Sequence, residues 1–152
     1  MEILKAQSDD LPEILELQKL CYTENANRYN NFDIQPLTQT LPDIENEYKK
    51  CTILKSLHQS KIVGSVRAFE KEGTCYIGKL IVHPDYQNKG IGRMLMNSLE
   101  LEFGNAKRFE LFTGFRDEKN LYFYKKIGYS QFKQVKVNDN LSLVYLEKIN
   151  LK

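Results

Sequence analysis

The 152-residue chain contains no tryptophan, only four prolines and only three cysteines. Cys21, Cys51 and Cys75 are odd in number and widely spaced, with no Cys-x-x-Cys pair. That argues against a zinc site or a disulfide framework and predicts small buried hydrophobes in a reducing, cytoplasmic setting. No metal is expected. Charge of one sign is also missing: 22 basic residues stand against 20 acidic ones, a net +2. A nucleic-acid surface would need a clustered basic excess, so no nucleic-acid partner is expected. No apolar run approaches the ~20 residues of a membrane span. The start, Met1-Glu2-Ile3-Leu4-Lys5, lacks the pattern of a signal peptide. What remains is an ordinary globular composition, 41% hydrophobic and 28% charged, of a length that suits one domain over residues 1–152.

Hydrophobic periodicity orders the chain as β-α-α-β-β-β-α-β-α-β-β, a mixed α/β pattern. A short strand over 2–6 precedes a helix opening at Ser8. Its apolar stripe is Leu11, Ile14, Leu15 and Leu20 to Tyr22. Residues 23–37 read as a polar loop with aromatic interruptions. Thr40-Leu41-Pro42-Asp43 has the form of a capping box and opens a second helix. β-rich runs at 52–57, 62–69 and 75–83 follow, joined by turns at 58–61 and 70–73. A third helix starts at Gly90, with Ile91, Met94, Leu95, Leu99 and Phe103 on one face. A strand over 109–115, a helix over 118–127 ending at Gly128, and a pair of strands over 129–137 and 141–148 complete the order.

The most informative stretch runs from Lys79 to Gly92, Lys-Leu-Ile-Val-His-Pro-Asp-Tyr-Gln-Asn-Lys-Gly-Ile-Gly. A buried strand stops at Pro84 and a glycine-containing loop leads into a helix. That order aims unpaired helix N–H groups at any anion held by the loop. Gly90 and Gly92 remove Cβ atoms where backbone must approach a ligand, and Lys89 and Arg93 add positive charge. A tight strand-to-helix turn alone would also use such glycines. A dinucleotide fingerprint is disfavoured because Leu95 stands where its third glycine is needed, and no Walker Gly-Lys-Ser/Thr is present.

Gln87-Asn88-Lys89-Gly90-Ile91-Gly92 after Val82-His83-Pro84 resembles the acyl-CoA pyrophosphate loop of the GNAT N-acetyltransferase superfamily. Phe123-Tyr124-Lys125-Lys126-Ile127-Gly128-Tyr129 is similar to that family's late signature, and the element order matches over essentially the whole chain. The resemblance implies a central, mostly antiparallel twisted sheet of seven strands with four helices, read from the order above. It implies acetyl-CoA as cofactor and transfer of its acetyl group to a primary amine, by direct attack in a ternary complex. A small-molecule or amino-acid-like acceptor is expected, with a homodimer as the family-level expectation. Two rival readings are a catalytically silent acyl-CoA-binding module and a protein or peptide N-acetyltransferase.

By the same resemblance, Gln87, Asn88, Lys89, Gly90, Ile91, Gly92 and Arg93 bind the pyrophosphate. The main chain at Leu80, Ile81 and Val82 pairs with the pantetheine arm and polarises the thioester. Tyr124 faces the sulfur as general acid; a phenol near pKa 10 keeps its proton at neutral pH. The family's usual asparagine position, seven residues before that tyrosine, is held by Asp117, so the cofactor contact is assigned to Asn120 one turn later. The family's glutamate base position is held by Tyr76. A base matters, because keeping a lysine-like amine neutral at pH 7 costs about 4–5 kcal/mol. Tyr76, Glu24, Asp33, Glu70, Glu72, His83 and a water chain all remain open. Tyr22, Glu24, Tyr29, Phe32 and Asp33 are candidate acceptor walls. Arg67 and Lys79, in strands expected to be buried, need partners and are candidates to bind a carboxylate on the acceptor.

Overall fold

The computed structural model describes residues 1–29 and 34–151. Seven strands form one sheet: β1 (Glu2–Lys5), β2 (Thr52–His58), β3 (Lys61–Lys71), β4 (Thr74–Val82), β5 (Arg108–Gly114), β6 (Ser130–Asn138) and β7 (Leu141–Ile149). Their spatial order is β1-β2-β3-β4-β5-β7-β6. All neighbours are antiparallel except β4 and β5, which run parallel. The helices are α1 (Leu11–Tyr29), α2 (Gln35–Thr38), α3 (Leu41–Tyr48), α4 (Ile91–Glu102) and α5 (Glu118–Lys126). The mixed α/β sheet expected from the sequence is thus present, with every strand within two residues of its predicted place.

The alternation along each strand divides the core between the two faces. Leu54, Val66, Ala68, Ile77 and Leu111 pack against Ile91, Leu95, Met96 and Leu99 of α4 and Tyr124 of α5. Their strand neighbours Ile53, Ile62 and Ile81 face the other way, against Leu11, Ile14 and Leu15 of α1 and Ile44 of α3. On that second face the described helices cover parts of β2 to β4, while Phe112 on β5 and Phe132 on β6 are exposed.

The local signals explain most boundaries. The Thr40 capping box forms as read, with the Thr40 N–H donating to Asp43 Oδ2 at 3.0 Å and the Asp43 N–H to Thr40 Oγ1 at 3.3 Å. Gly128 adopts φ +104° and ends α5. Gln59 and Ser60, both at positive φ, make the two-residue turn between β2 and β3.

Two expectations need correction. Residues 23–29, read as loop, continue α1; Thr23 Oγ1 donates back to the Lys19 carbonyl at 2.7 Å, and fully buried Ala26 anchors the added turns. Residues 35–38, at the end of the same stretch read as loop, form the single turn α2. Four residues are too few to show a periodic stripe. The turn is held by Gln18 Nε2 of α1, which donates to the Pro36 carbonyl at 2.9 Å. Phe32 and Asp33 lie outside the described residues.

Leu95 is fully buried and its Cδ1 fits over the bare Cα of Gly64, leaving no room for a methyl there. Leu95→Ala is expected to lower stability by about 2–5 kcal/mol, read as a shifted urea midpoint with an unchanged slope.

Candidate active site

Strands β4 and β5 pair over only three positions, Thr74 with Arg108, Cys75 with Phe109 and Tyr76 with Glu110. Beyond these, β5 stays with β7 through Gly114, and β4 stays with β3 through Val82. The β5-facing edge of β4 therefore has no partner strand from Ile77 onward. A bulge accompanies the divergence. Between Ser65 and Arg67 of β3 the register of β4 skips, and Lys79 there sits at φ +51°.

The divergence opens a cleft on each side. The first, of about 740 Å³, lies between the end of β4, the loop entering α4, and the start of α5. Leu80, Ile81 and Val82 line it, as do Gln87, Asn88, Gly90, Ile91, Gly92 and Arg93. Gly90 is the residue before α4, at φ +83°, a conformation that a side chain would strain. The first helical hydrogen bond in α4 runs from the Met94 N–H to the Gly90 carbonyl at 3.0 Å, so the N–H groups of residues 91–93 have no helical acceptor. At Gly92 an added Cβ would make only ordinary contact with Phe123, at 3.5 Å. Gln87 Nε2 donates to the Val82 carbonyl at 3.1 Å and ties the loop to the strand. Lys89 is not in the lining; its ammonium lies over the Tyr86 ring, 5.5 Å from the centroid.

The second cleft, of about 830 Å³, opens toward the less covered face of the sheet. Its walls carry two aromatic pairs, Phe69 stacked on Tyr76 at 5.3 Å and Phe112 against Tyr145 at 5.4 Å. Tyr22, Leu80, Asp117 and Asn120 line both clefts. Asp117, Asn120 and Tyr124 follow i, i+3, i+7 spacing and so share one face of α5. Asp117 Oδ2 accepts from Thr113 Oγ1 at 3.3 Å and from the Gly114 N–H at 3.2 Å, and Asn120 Nδ2 donates to Thr113 Oγ1 at 3.4 Å. These bonds pin the start of α5 to the end of β5.

Tyr124 lines the second cleft, 8% exposed, with its ring against Phe123 and Tyr129. Burial, with the nearby Tyr22 and Asp117, raises its pKa above the ordinary phenol value. The hydroxyl is protonated throughout the neutral range. Burial likewise pushes the Cys21 and Cys51 thiols up to about 11 and Cys75 to about 12. None is a thiolate near pH 7, which disfavours an acyl-cysteine route.

The sequence candidates divide between these clefts. Tyr76 and Arg67 line the second, and Glu24 lines the first. Glu70, Glu72 and His83 line neither. Nothing is described of the Tyr29 side chain, and Asp33 lies outside the described residues.

Arg67 and Lys79 find their carboxylate in Glu47 of α3. Arg67 Nη1 is 3.3 Å from Glu47 Oε1, and Lys79 Nζ is 3.4 Å from Oε2. Gln39 Nε2 donates to Glu47 Oε2 at 2.7 Å, and Arg67 Nη2 donates to Gln18 Oε1 at 2.6 Å. Sequence reasoning missed Glu47. The two buried cations signal that some acid must approach them, but one among 20 acidic residues is chosen only by tertiary packing. Gly78 of the second cleft was also missed, since a bare glycine in a strand carries no chemical signal.

Burial alone would raise the Glu47 pKa, but Arg67 and Lys79 outweigh it and hold it below its ordinary value of 4.5. Glu47→Ala should cost about 3 kcal/mol, the low end for a broken buried pair because Glu47 is partly exposed. The pair's contribution is complete above pH 4.5 and is lost as pH falls through the lowered value. Stability of the native protein should therefore fall more steeply below pH 4.5 than that of Glu47→Gln, measured by urea denaturation at successive pH values.

The model of a family described as an acetyltransferase (GNAT) domain matches residues 49–131, more than half of the chain. An uncharacterised N-acetyltransferase of Porphyra purpurea, ycf52, is 26% identical over 121 residues, covering 71% of this chain and 69% of that protein. The PaiA N-acetyltransferase of Thermoplasma acidophilum, solved in complex with coenzyme A, superposes with a TM-score of 0.82 at 16% identity, over 97% of this chain and 98% of the other. The ribosomal-protein-S18-alanine N-acetyltransferase of Escherichia coli superposes at 0.80 with 12% identity, over 98% and 93%. At these identities the structures speak for the fold, whereas the family match spans β2 through α5, which supply most of the lining of both clefts. On that match the chain belongs to the GNAT acetyltransferase family.

Proposed function

We propose that the chain is an acetyl-CoA-dependent N-acetyltransferase, one catalytic domain working in the cytoplasm. The acetyl group passes to the primary amine of a small or amino-acid-like acceptor by direct attack, with both molecules bound. The observation that carries this reading is the parting of β4 from β5, which leaves an unpaired strand edge between two clefts that share Tyr22, Leu80, Asp117 and Asn120, the second also lined by Tyr124. The residues present fit coenzyme A. The loop has a left-handed glycine, three N–H groups without helical acceptors, and Arg93 beside them. In this reading Gln87, Asn88, Gly90, Ile91, Gly92 and Arg93 would hold the pyrophosphate, with Lys89 adding charge nearby. Asn120 would contact the cofactor where the clefts join.

Acetyl-CoA supplies an activated acetyl thioester. The chain's part is positioning and proton management. N–H groups of the Leu80 to Val82 segment that face the unpaired edge, that of Val82 among them, would donate toward the acyl oxygen as charge gathers there, without rearrangement. Tyr124 keeps its proton at neutral pH and gives it to the departing sulfur. The second cleft takes the amine, and the ammonium proton leaves to water through the open side. Glu110, on that wall, is already engaged by Arg108 at 3.0 Å. A peptide N-terminus is the second reading, favoured by the exposed Phe112 and Phe132 beside the cleft.

Calorimetric titration with acetyl-CoA, and release of free CoA thiol with pooled amines, amino acids and peptides, test the proposal. Acetyl-CoA should bind, and one pool should turn over. Tyr124→Phe should lower kcat about 10²-fold while acetyl-CoA affinity stays within about twofold. Absence of acetyl-CoA binding overturns the reading. Binding without turnover in any pool replaces it with a silent acyl-CoA-binding module.

A further inference from the structure

We infer that the acceptor is an amine that also carries a carboxylate and a bulky apolar body, and that Arg67 and Lys79 hold the carboxylate. The inference rests on reading the second cleft as the acceptor site.

The charges on this part of the cleft do not cancel. Arg67 is 3% exposed and the Lys79 side chain 14%, yet the two share the single carboxylate of Glu47. The other oxygens around them belong to neutral amides. Arg67 Nη2 donates to Gln18 Oε1 at 2.6 Å, and Gln39 Oε1 accepts from Arg67 Nη1 and Lys79 Nζ, each at 3.4 Å. Arg67 Nε is buried and has no hydrogen-bond partner among the described residues. A pair kept only for the fold needs one cation per carboxylate, because each further buried charge has a desolvation cost. The other acids lining the cleft are engaged away from the two cations: Glu110 with Arg108, which also binds Glu147, and Asp117 with the neutral donors Thr113 and Gly114 at the start of α5. Within the Glu47 cluster itself, two cations therefore face one carboxylate. Burial and the neighbouring Arg67 both pull the Lys79 pKa down, the direction expected of crowded cations that an arriving anion would relieve.

The space for that anion is also present. Gly78 is the cross-strand partner of Arg67, so its missing side chain would point to the same face. A Cβ built there meets nothing within 4 Å, and its φ is not in the left-handed region. On the same pair of strands, the stacked rings of Phe69 and Tyr76 follow directly, and Phe112 and Tyr145 stand on the opposite wall. A cationic floor beside aromatic walls suits an α-amino acid with a large apolar side chain better than it suits a polyamine.

The test compares ligands that differ only in the carboxylate. Binding of N-acetylphenylalanine and N-acetylphenethylamine is measured by calorimetry, on the protein alone and with coenzyme A added. Phenylalanine and phenethylamine are compared as acceptors in the same preparations. The carboxylate-bearing member should be favoured about tenfold or more. Lys79→Gln should reduce that ratio, acting on KM more than kcat. Gly78→Val, whose Cβ meets no protein atom within 4 Å, should weaken both ligands while acetyl-CoA affinity is unchanged. Equal affinity for the two ligands overturns the inference, as does a preference that survives Lys79→Gln or failure of both to bind at millimolar concentration. Because the comparison is read on protein alone as well as with the cofactor, a failure to bind acetyl-CoA is seen separately.

Discussion

Everything at the site depends on how short the parallel seam between β4 and β5 is. Three paired positions hold the two halves of the sheet together, and past them each strand keeps only its outer neighbour. Backbone polar groups inside a protein are normally paired, so an open edge in the middle of a sheet is costly unless something occupies it. Here the edge looks into two clefts rather than into core. The bulge at Lys79 belongs to the same arrangement: it bends β4 away from β5 and turns a lysine toward the buried network under the second cleft. Helix α5 then bridges the gap, pinned to the end of β5 through Asp117, Asn120 and Thr113.

The Arg67–Lys79–Glu47 network ties the helices to the sheet beneath the second cleft. Glu47 comes from α3, whose start is fixed by the Thr40 capping box, while the cations come from β3 and β4. Gln18 and Gln39 complete it from α1 and the residue after α2, so helices and sheet meet in one hydrogen-bonded cluster. Clusters of this kind fix a geometry more than they stabilise it, since burial of charge offsets most of the attraction. The cleft floor is held in place by the same contacts that seat α1 and α3.

Much of this was legible in the sequence. Strand periodicity placed all seven strands, and the glycine at 90 with the apolar spacing after it placed α4 with its loop. Both are local signals, carried by residues within one turn or one strand. The loop and late-helix motifs pointed to the family that the matched stretch shows. What escaped is what depends on partners distant in sequence. The extension of α1 to Tyr29 follows from burial of Ala26, which a polar segment does not announce. The left-handed Lys79 is dictated by register with β3, and nothing in a lysine signals positive φ. Parting of the strands is an absence of pairing, which no residue type encodes. The acidic partner of two buried cations is likewise a choice made by the fold.

Gly78 has a consequence for how the second cleft can vary. Its side is open, its backbone is unstrained, and it stands across from Arg67. A mutation there adds bulk to the second cleft without displacing core or touching the loop before α4. Tyr76, Phe112 and Tyr145 are similar, wall residues on strands whose pairing does not need those side chains. The second cleft can therefore change shape at these positions while the loop before α4 and the packing of the sheet stay as they are.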